Sequence, residues 1–189
     1  MYQADLIRAL GADHANLVID RVNSILLQVN SDERLDVLLA LTRCKPASVF
    51  WPVFLNNWSH CDDTWHLRAR LLKELRRHNA EVPGASYLSA NDRVFLDGLP
   101  NPVQVFRGCS RPRALGTSWT TDRTVASGFA AGHRGVGVPS PVIVSGIVSK
   151  RAIFVAMLGR NESELVLDPA MVSEREIVSP RGEGLPQGD

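Results

Sequence analysis

The apolar residues of this 189-residue chain change their period part-way along it, and that change limits the possible folds more than any other feature. Up to about residue 80 they recur at helical spacing: Leu17, Ile19 and Val22 with Ile25, Leu26 and Val29, then Leu35, Leu38, Leu39 and Leu41. Each such helix carries one apolar stripe that must be covered by another, so a helical bundle is expected. Ser31 is the expected N-cap of the helix entering at Leu35, and Asp62 or Asp63 that of a helix from Thr64 through His78. Lys45-Pro46 and Trp51-Pro52 are expected breaks at or near helix starts, because proline lacks a backbone donor. Trp51, Trp58 and Trp65, seven residues apart, offer large apolar surface expected to join the bundle to the segment that follows.

From about residue 103 the apolar residues fall instead in short β-rich runs, 103–106, 141–148, 153–157, 165–167 and 176–178, separated by Gly, Pro and Asn. One helix is expected among them, Asp122 capping Arg123 to Ala131 with Val125, Ala126, Phe129 and Ala130 on one face. Helices first and strands afterwards predict an α+β protein rather than a doubly wound parallel sheet. The expected organisation is an N-terminal helical region over 1–99, a core with a small mixed β-sheet over 100–178 and a frayed Gly- and Pro-rich tail over 179–189.

Composition narrows the function classes. With 21 basic residues against 20 acidic ones the formal charge is +1, so no global field draws the chain to nucleic acid or an anionic membrane. The start, Met1-Tyr2-Gln3-Ala4-Asp5, lacks the basic and then apolar run of a signal peptide, and no apolar stretch reaches bilayer length. A cytoplasmic protein without membrane contact is expected. Cys44, Cys61 and Cys109 are odd in number and far apart, against a disulfide framework. Cys44, His60, Cys61 and His66 lack metal-ligand spacing, and no metal is expected. The basic residues His66, Arg70, Lys73 and Arg77 read as a solvated helix face. No Gly-x-Gly-x-x-Gly turn or P-loop occurs, so a dinucleotide would not be held in Rossmann fashion.

Three segments put polar or charged groups on or beside apolar strands: Val103-Gln104-Val105-Phe106-Arg107-Gly108, Gly116-Thr117-Ser118-Trp119-Thr120-Thr121-Asp122, and Arg160-Asn161-Glu162-Ser163-Glu164-Leu165-Val166-Leu167. On a strand, Ser118 and Thr120 share one face and Trp119 takes the other, while Glu162 and Glu164, two apart, face one cleft. In this order the segments resemble the Arg, Ser-x-Thr and Glu-x-Glu signature of the Arg-Ser-Glu class of mono-ADP-ribosyltransferases, over roughly residues 103–178.

The resemblance implies an ADP-ribosyltransferase-like core that uses NAD as cosubstrate without a metal. It implies that Arg107 holds the phosphate and ribose of NAD, that Gly108 lets the backbone approach the nicotinamide amide, and that Ser118 orients Glu164 while Thr120 supports the cleft. Glu164 would stabilise the oxocarbenium-like ribose, and Glu162 would position or deprotonate the acceptor, an arginine by analogy with enzymes carrying Glu there. Arg134, in the loop after the expected helix, would reach a phosphate. The implied acceptor is a macromolecule, protein ahead of nucleic acid given the near-neutral charge, and the size suits a bacterial or phage effector acting inside a cell. Two other outcomes stay open at this level: an enzyme that hydrolyses NAD or modifies nucleic acid, and a silent binding module with the same fold.

Overall fold

The computed structural model describes residues 2–132, 137–159 and 162–180, with side chains from Asp13 onward. The expectations for Arg134, Asn161 and the tail beyond Pro180 lie outside the described residues. The chain divides into two compact units, Met1–Tyr87 and Leu88–Asp189.

The first unit is helical: α1 (Tyr2–Leu26), α2 (Arg34–Leu41), α3 (Ala47–Asn57) and α4 (Arg68–Glu81), with two short 3-10 turns between α3 and α4. Val22, Leu26, Leu35, Leu38, Leu39, Phe50, Phe54, Leu71 and Leu75 are buried, each contributing about 1.5–3 kcal/mol as apolar surface leaves water. Leu17 and Ile25 fall off the stripe, at 67% and 41% exposure. Trp51 and Trp58 lie inside this unit; the Trp51 indole donates to Val82 O at 2.9 Å.

The helix starts differ from those expected. Ser31 does not cap α2, which begins three residues later with Glu33 in the N-cap position and no side-chain cap. The segment between α1 and α2 is instead organised by Arg34, whose guanidinium donates to Leu26 O (3.0 Å), Val29 O (2.7 Å) and His60 O (3.2 Å). It thereby binds the last carbonyl of α1, Leu26 O, together with two carbonyls beyond that helix. Asp63 takes a left-handed conformation, φ 42°, and makes no capping bond; a 3-10 turn, Thr64–Leu67, precedes the regular helix. Pro46 does mark the start of α3, where Ala47 N donates to Glu81 Oε1 at 3.1 Å. Pro52, by contrast, lies within α3. A proline there costs about 3 kcal/mol, which the burial of Phe50, Trp51, Val53 and Phe54 around it outweighs.

The second unit opens with α5 (Ala90–Gly98), a helix that periodicity did not single out. Ser89 caps it, accepting from Asp92 N at 3.2 Å and donating to Asp92 Oδ2 at 2.6 Å. Asp92 Oδ1 accepts from Leu158 N, and Lys150 Nζ donates to Asp97 O, each at 2.8 Å. These bonds tie α5 to the residues flanking β4, within the second unit.

Six strands follow: β1 (Val103–Ser110), β2 (Ser118–Thr120), β3 (Pro141–Val148), β4 (Ile153–Met157), β5 (Glu164–Leu167) and β6 (Ser173–Val178). They form one sheet in the order β4-β5-β2-β1-β3-β6. Every pairing is antiparallel, which corrects the expected mixed sheet. Apolar runs of four to eight residues bias strand direction without fixing it, and the pairing decides it. Helix α6 (Arg123–Ala131) sits between β2 and β3 in the chain, capped as expected by Asp122, which accepts from Thr124 N at 2.7 Å. Ala126 and Ala130 bury one face of α6 with Ile143, against Phe106 and Val178.

Candidate active site

The site lies where the sheet is least paired. β1 runs beside β3 over eight residue pairs but meets β2 at one, Phe106 with Thr120. Just beyond that pair, the Arg107 guanidinium spans the gap. Its Nη1 donates to Ser118 O at 2.5 Å and its Nε to Arg113 O at 3.2 Å. There a half-buried cation donates to two carbonyls beside the short β1–β2 pairing. Burial pushes the Arg107 pKa down; Cys109 and Glu164 oppose that shift, and a guanidinium stays charged throughout the working range.

Ser118 and Glu164 come together as expected. β2 and β5 pair Ser118 with Val166, Trp119 with Leu165 and Thr120 with Glu164, so Glu164 is diagonal to Ser118 across the ladder. A glutamate side chain reaches that diagonal neighbour, and Ser118 Oγ donates to Glu164 Oε1 at 2.6 Å. Short charge-assisted bonds of this kind fix a carboxylate's orientation. On the opposite face Trp119 and Leu165 are buried, and the indole donates to Gly116 O at 2.8 Å.

Thr120 is buried, and its hydroxyl is engaged by the protein itself: it donates to Glu162 O at 2.6 Å and accepts from Asp122 N at 3.0 Å. It thus ties the turn before β5 to the start of α6. Glu162 is not on the strand. β5 begins at Glu164, and Ser163 between the two glutamates is left-handed, φ 45°. Strand alternation therefore does not set Glu162 and Glu164 on one face. Ser163 reverses the backbone between them, and the turn is held by Thr120 and by Thr121 N donating to Ser163 O at 3.3 Å. A non-glycine residue in that region costs about 1–2 kcal/mol, a strain found mainly where function needs it.

Gly108 faces α6. A Cβ there would overlap Ala126 O and stand 2.7 Å from Ala130 N, so the glycine first serves close strand-to-helix packing. Gly116, for which the segment Gly116–Asp122 offered no specific signal, is the residue that sequence reasoning missed: a Cβ there would overlap the Arg107 guanidinium.

Neither Cys61 nor Cys109 is an activated thiol. Burial raises the Cys109 pKa despite the lowering effect of Arg107, and burial pushes Cys61, which donates to Asn57 O, up to about 12. Among the described residues no three His, Cys, Asp or Glu side chains gather in a way that could hold a metal ion, and no helix is long and apolar enough to cross a membrane.

The class that fold and site define is an α+β protein with a six-stranded antiparallel sheet and a serine-held carboxylate at its central junction. Comparison with family models, curated proteins and solved structures finds no match.

Proposed function

We propose that the chain is a mono-ADP-ribosyltransferase that cleaves NAD at the nicotinamide–ribose bond and transfers ADP-ribose to a macromolecule. One observation carries the reading: residues from three separate segments, Arg107, Ser118 and Glu164, are joined by two hydrogen bonds of 2.5 and 2.6 Å.

In the reaction the bond from ribose C1′ to the nicotinamide nitrogen breaks, and nicotinamide leaves with the electron pair. The positive charge that develops on the ribose is stabilised by the Glu164 carboxylate, held in place by Ser118. This stabilisation is realised in the transition state rather than with bound NAD. A nucleophile on the acceptor then forms a new bond to C1′ and loses a proton, for which Glu162 is the base when the acceptor is an arginine. Arg107 contributes fixed positive charge for the NAD phosphates and ribose and holds β2. Thr120 supports the cleft through the Glu162 turn, Gly108 contributes backbone, and Arg134 is assigned a phosphate contact from the resemblance alone.

The experiment is incubation with adenine-labelled NAD and cell lysate, for wild type and Glu162→Gln. Label on protein that peptide mass spectrometry locates on arginine supports arginine transfer, and Glu162→Gln should abolish that label while nicotinamide release survives. Label on nucleic acid, or nicotinamide release without label in wild type, would replace protein transfer by the corresponding rival. No NAD consumption at all would leave the silent binding module.

A further inference from the structure

Arg107 can occupy its position only because residue 116 has no side chain. Its guanidinium bridges the carbonyls of Arg113 and Ser118, which flank Gly116 in the chain. A Cβ at Gly116 would overlap Nη2 and lie 2.5 Å from Cζ and 3.0 Å from Nε. Gly116 is buried, and its carbonyl is pinned by the Trp119 indole at 2.8 Å, so the loop cannot easily move aside. The backbone at Gly116 is not left-handed, so an alanine would be acceptable to the main chain. The three nearest obstacles all belong to the end of one long side chain, which can swing away at small cost to the fold.

We infer that Gly116 is a positioning residue: it forms the berth that holds the Arg107 guanidinium across the 113–118 loop, and through Ser118 O that clamp aims the Ser118 hydroxyl at Glu164. The berth rests on geometry alone; its consequence for turnover rests on the reading above. In Gly116→Ala the guanidinium is expelled, the tie to Ser118 O is lost, and Glu164 loses its fixed orientation while the sheet stays folded.

The test uses the full chain as wild type, Gly116→Ala, Arg107→Gln and the double variant. Three quantities are read: melting temperature, solvent exchange of the Arg107 Nε–H signal by NMR, and kcat and KM for nicotinamide release. The expected result for Gly116→Ala is a melting temperature within a few degrees of wild type, loss of the slowly exchanging Nε–H, and a fall in kcat of about tenfold or more that exceeds the change in KM. The double variant should be no worse than Arg107→Gln, because Gly116 acts through a group already removed. Should Gly116→Ala fail to fold, a folded double variant supports the berth. A slowly exchanging Nε–H in Gly116→Ala, additive losses in the double variant, or failure of both alanine-bearing variants to fold would overturn it. A wild type that releases no nicotinamide would sink the transferase reading, while the Nε–H signal would still decide the berth.

Discussion

Two residues show how burial sets chemistry. Ser118 spends its hydroxyl on Glu164 at 2.6 Å, and a hydrogen bond to a charged group contributes about 1.5–3 kcal/mol, or roughly ten- to a hundredfold in rate when it serves the transition state. Ser118→Ala is therefore expected to lower kcat for nicotinamide release by that range with little change in melting temperature; an unchanged kcat would remove the serine from the site. His78 is fully buried, stacked on Phe50 with ring centroids 4.0 Å apart. Its Nε2 lies 2.6 Å from Arg77 Nη2, and Nδ1 has no hydrogen-bond partner. Burial first, then the Arg77 charge, pushes its pKa down to about 4 against the pull of Glu74 and Glu81. In the unfolded chain histidine takes up a proton below about pH 6.5, whereas the folded protein resists until about 4. Stability should thus be unaffected by His78 above pH 6.5 and fall as pH drops from 6.5 towards 4, by about 3 kcal/mol at most. Melting curves across that window check it, and His78→Phe should flatten the slope; an equal slope in the variant would assign the acid sensitivity to other groups.

At the scale of elements, glycine positions divide into those that hold the sheet and those that hold the site. A Cβ at Gly108 would meet the backbone of α6, at Ala126 O and Ala130 N, and backbone cannot swing away as a side chain can. Gly108→Ala should therefore cost more than about 3 kcal/mol, as overpacking against rigid neighbours does, and lower the melting temperature far more than Gly116→Ala; equal effects would contradict the distinction. Ser163 gives a second contrast, because its left-handed backbone favours glycine: Ser163→Gly should keep or slightly raise stability and Ser163→Val should lower it, both read by melting temperature. Much of this element structure was legible. Helix α6 and strands β3 and β4 occupy the expected residues, since each combines a clear period with a cap or a bounding turn. What was not legible depends on distant partners. Helix α5 is capped locally by Ser89 but buries only Leu96, and its further ties are to Lys150 and Leu158; Pro52 is tolerated because its neighbours are buried, and the sheet's direction is decided by pairing. Arg107, Ser118 and Glu164 could be named from their segments because strand alternation and resemblance both bear on them. Gly116 could not, since its role exists only once the Arg107 side chain folds back over it.

At the scale of the whole molecule, the candidate site is built entirely from the second unit, on β1, β2 and β5. Each unit buries large side chains of its own, Phe50, Trp51 and Phe54 in the first and Val105, Val144, Trp119 and Leu165 in the second. Local opening follows such cores, so Gly108→Ala should speed amide hydrogen exchange within Leu88–Pro180 and leave Phe50–Trp58 near its wild-type rate. Uniform acceleration along the chain would mean one cooperative unit. In the proposed reaction Glu164, held by Ser118, stabilises charge on the ribose as nicotinamide leaves. The most direct test is the rate of nicotinamide release from NAD by wild type and by Glu164→Gln at matched folding. Steady release by wild type and a loss of about a hundredfold or more in the variant are expected, as when a transition-state charge loses its partner; equal rates, or no release by wild type, would contradict the proposal.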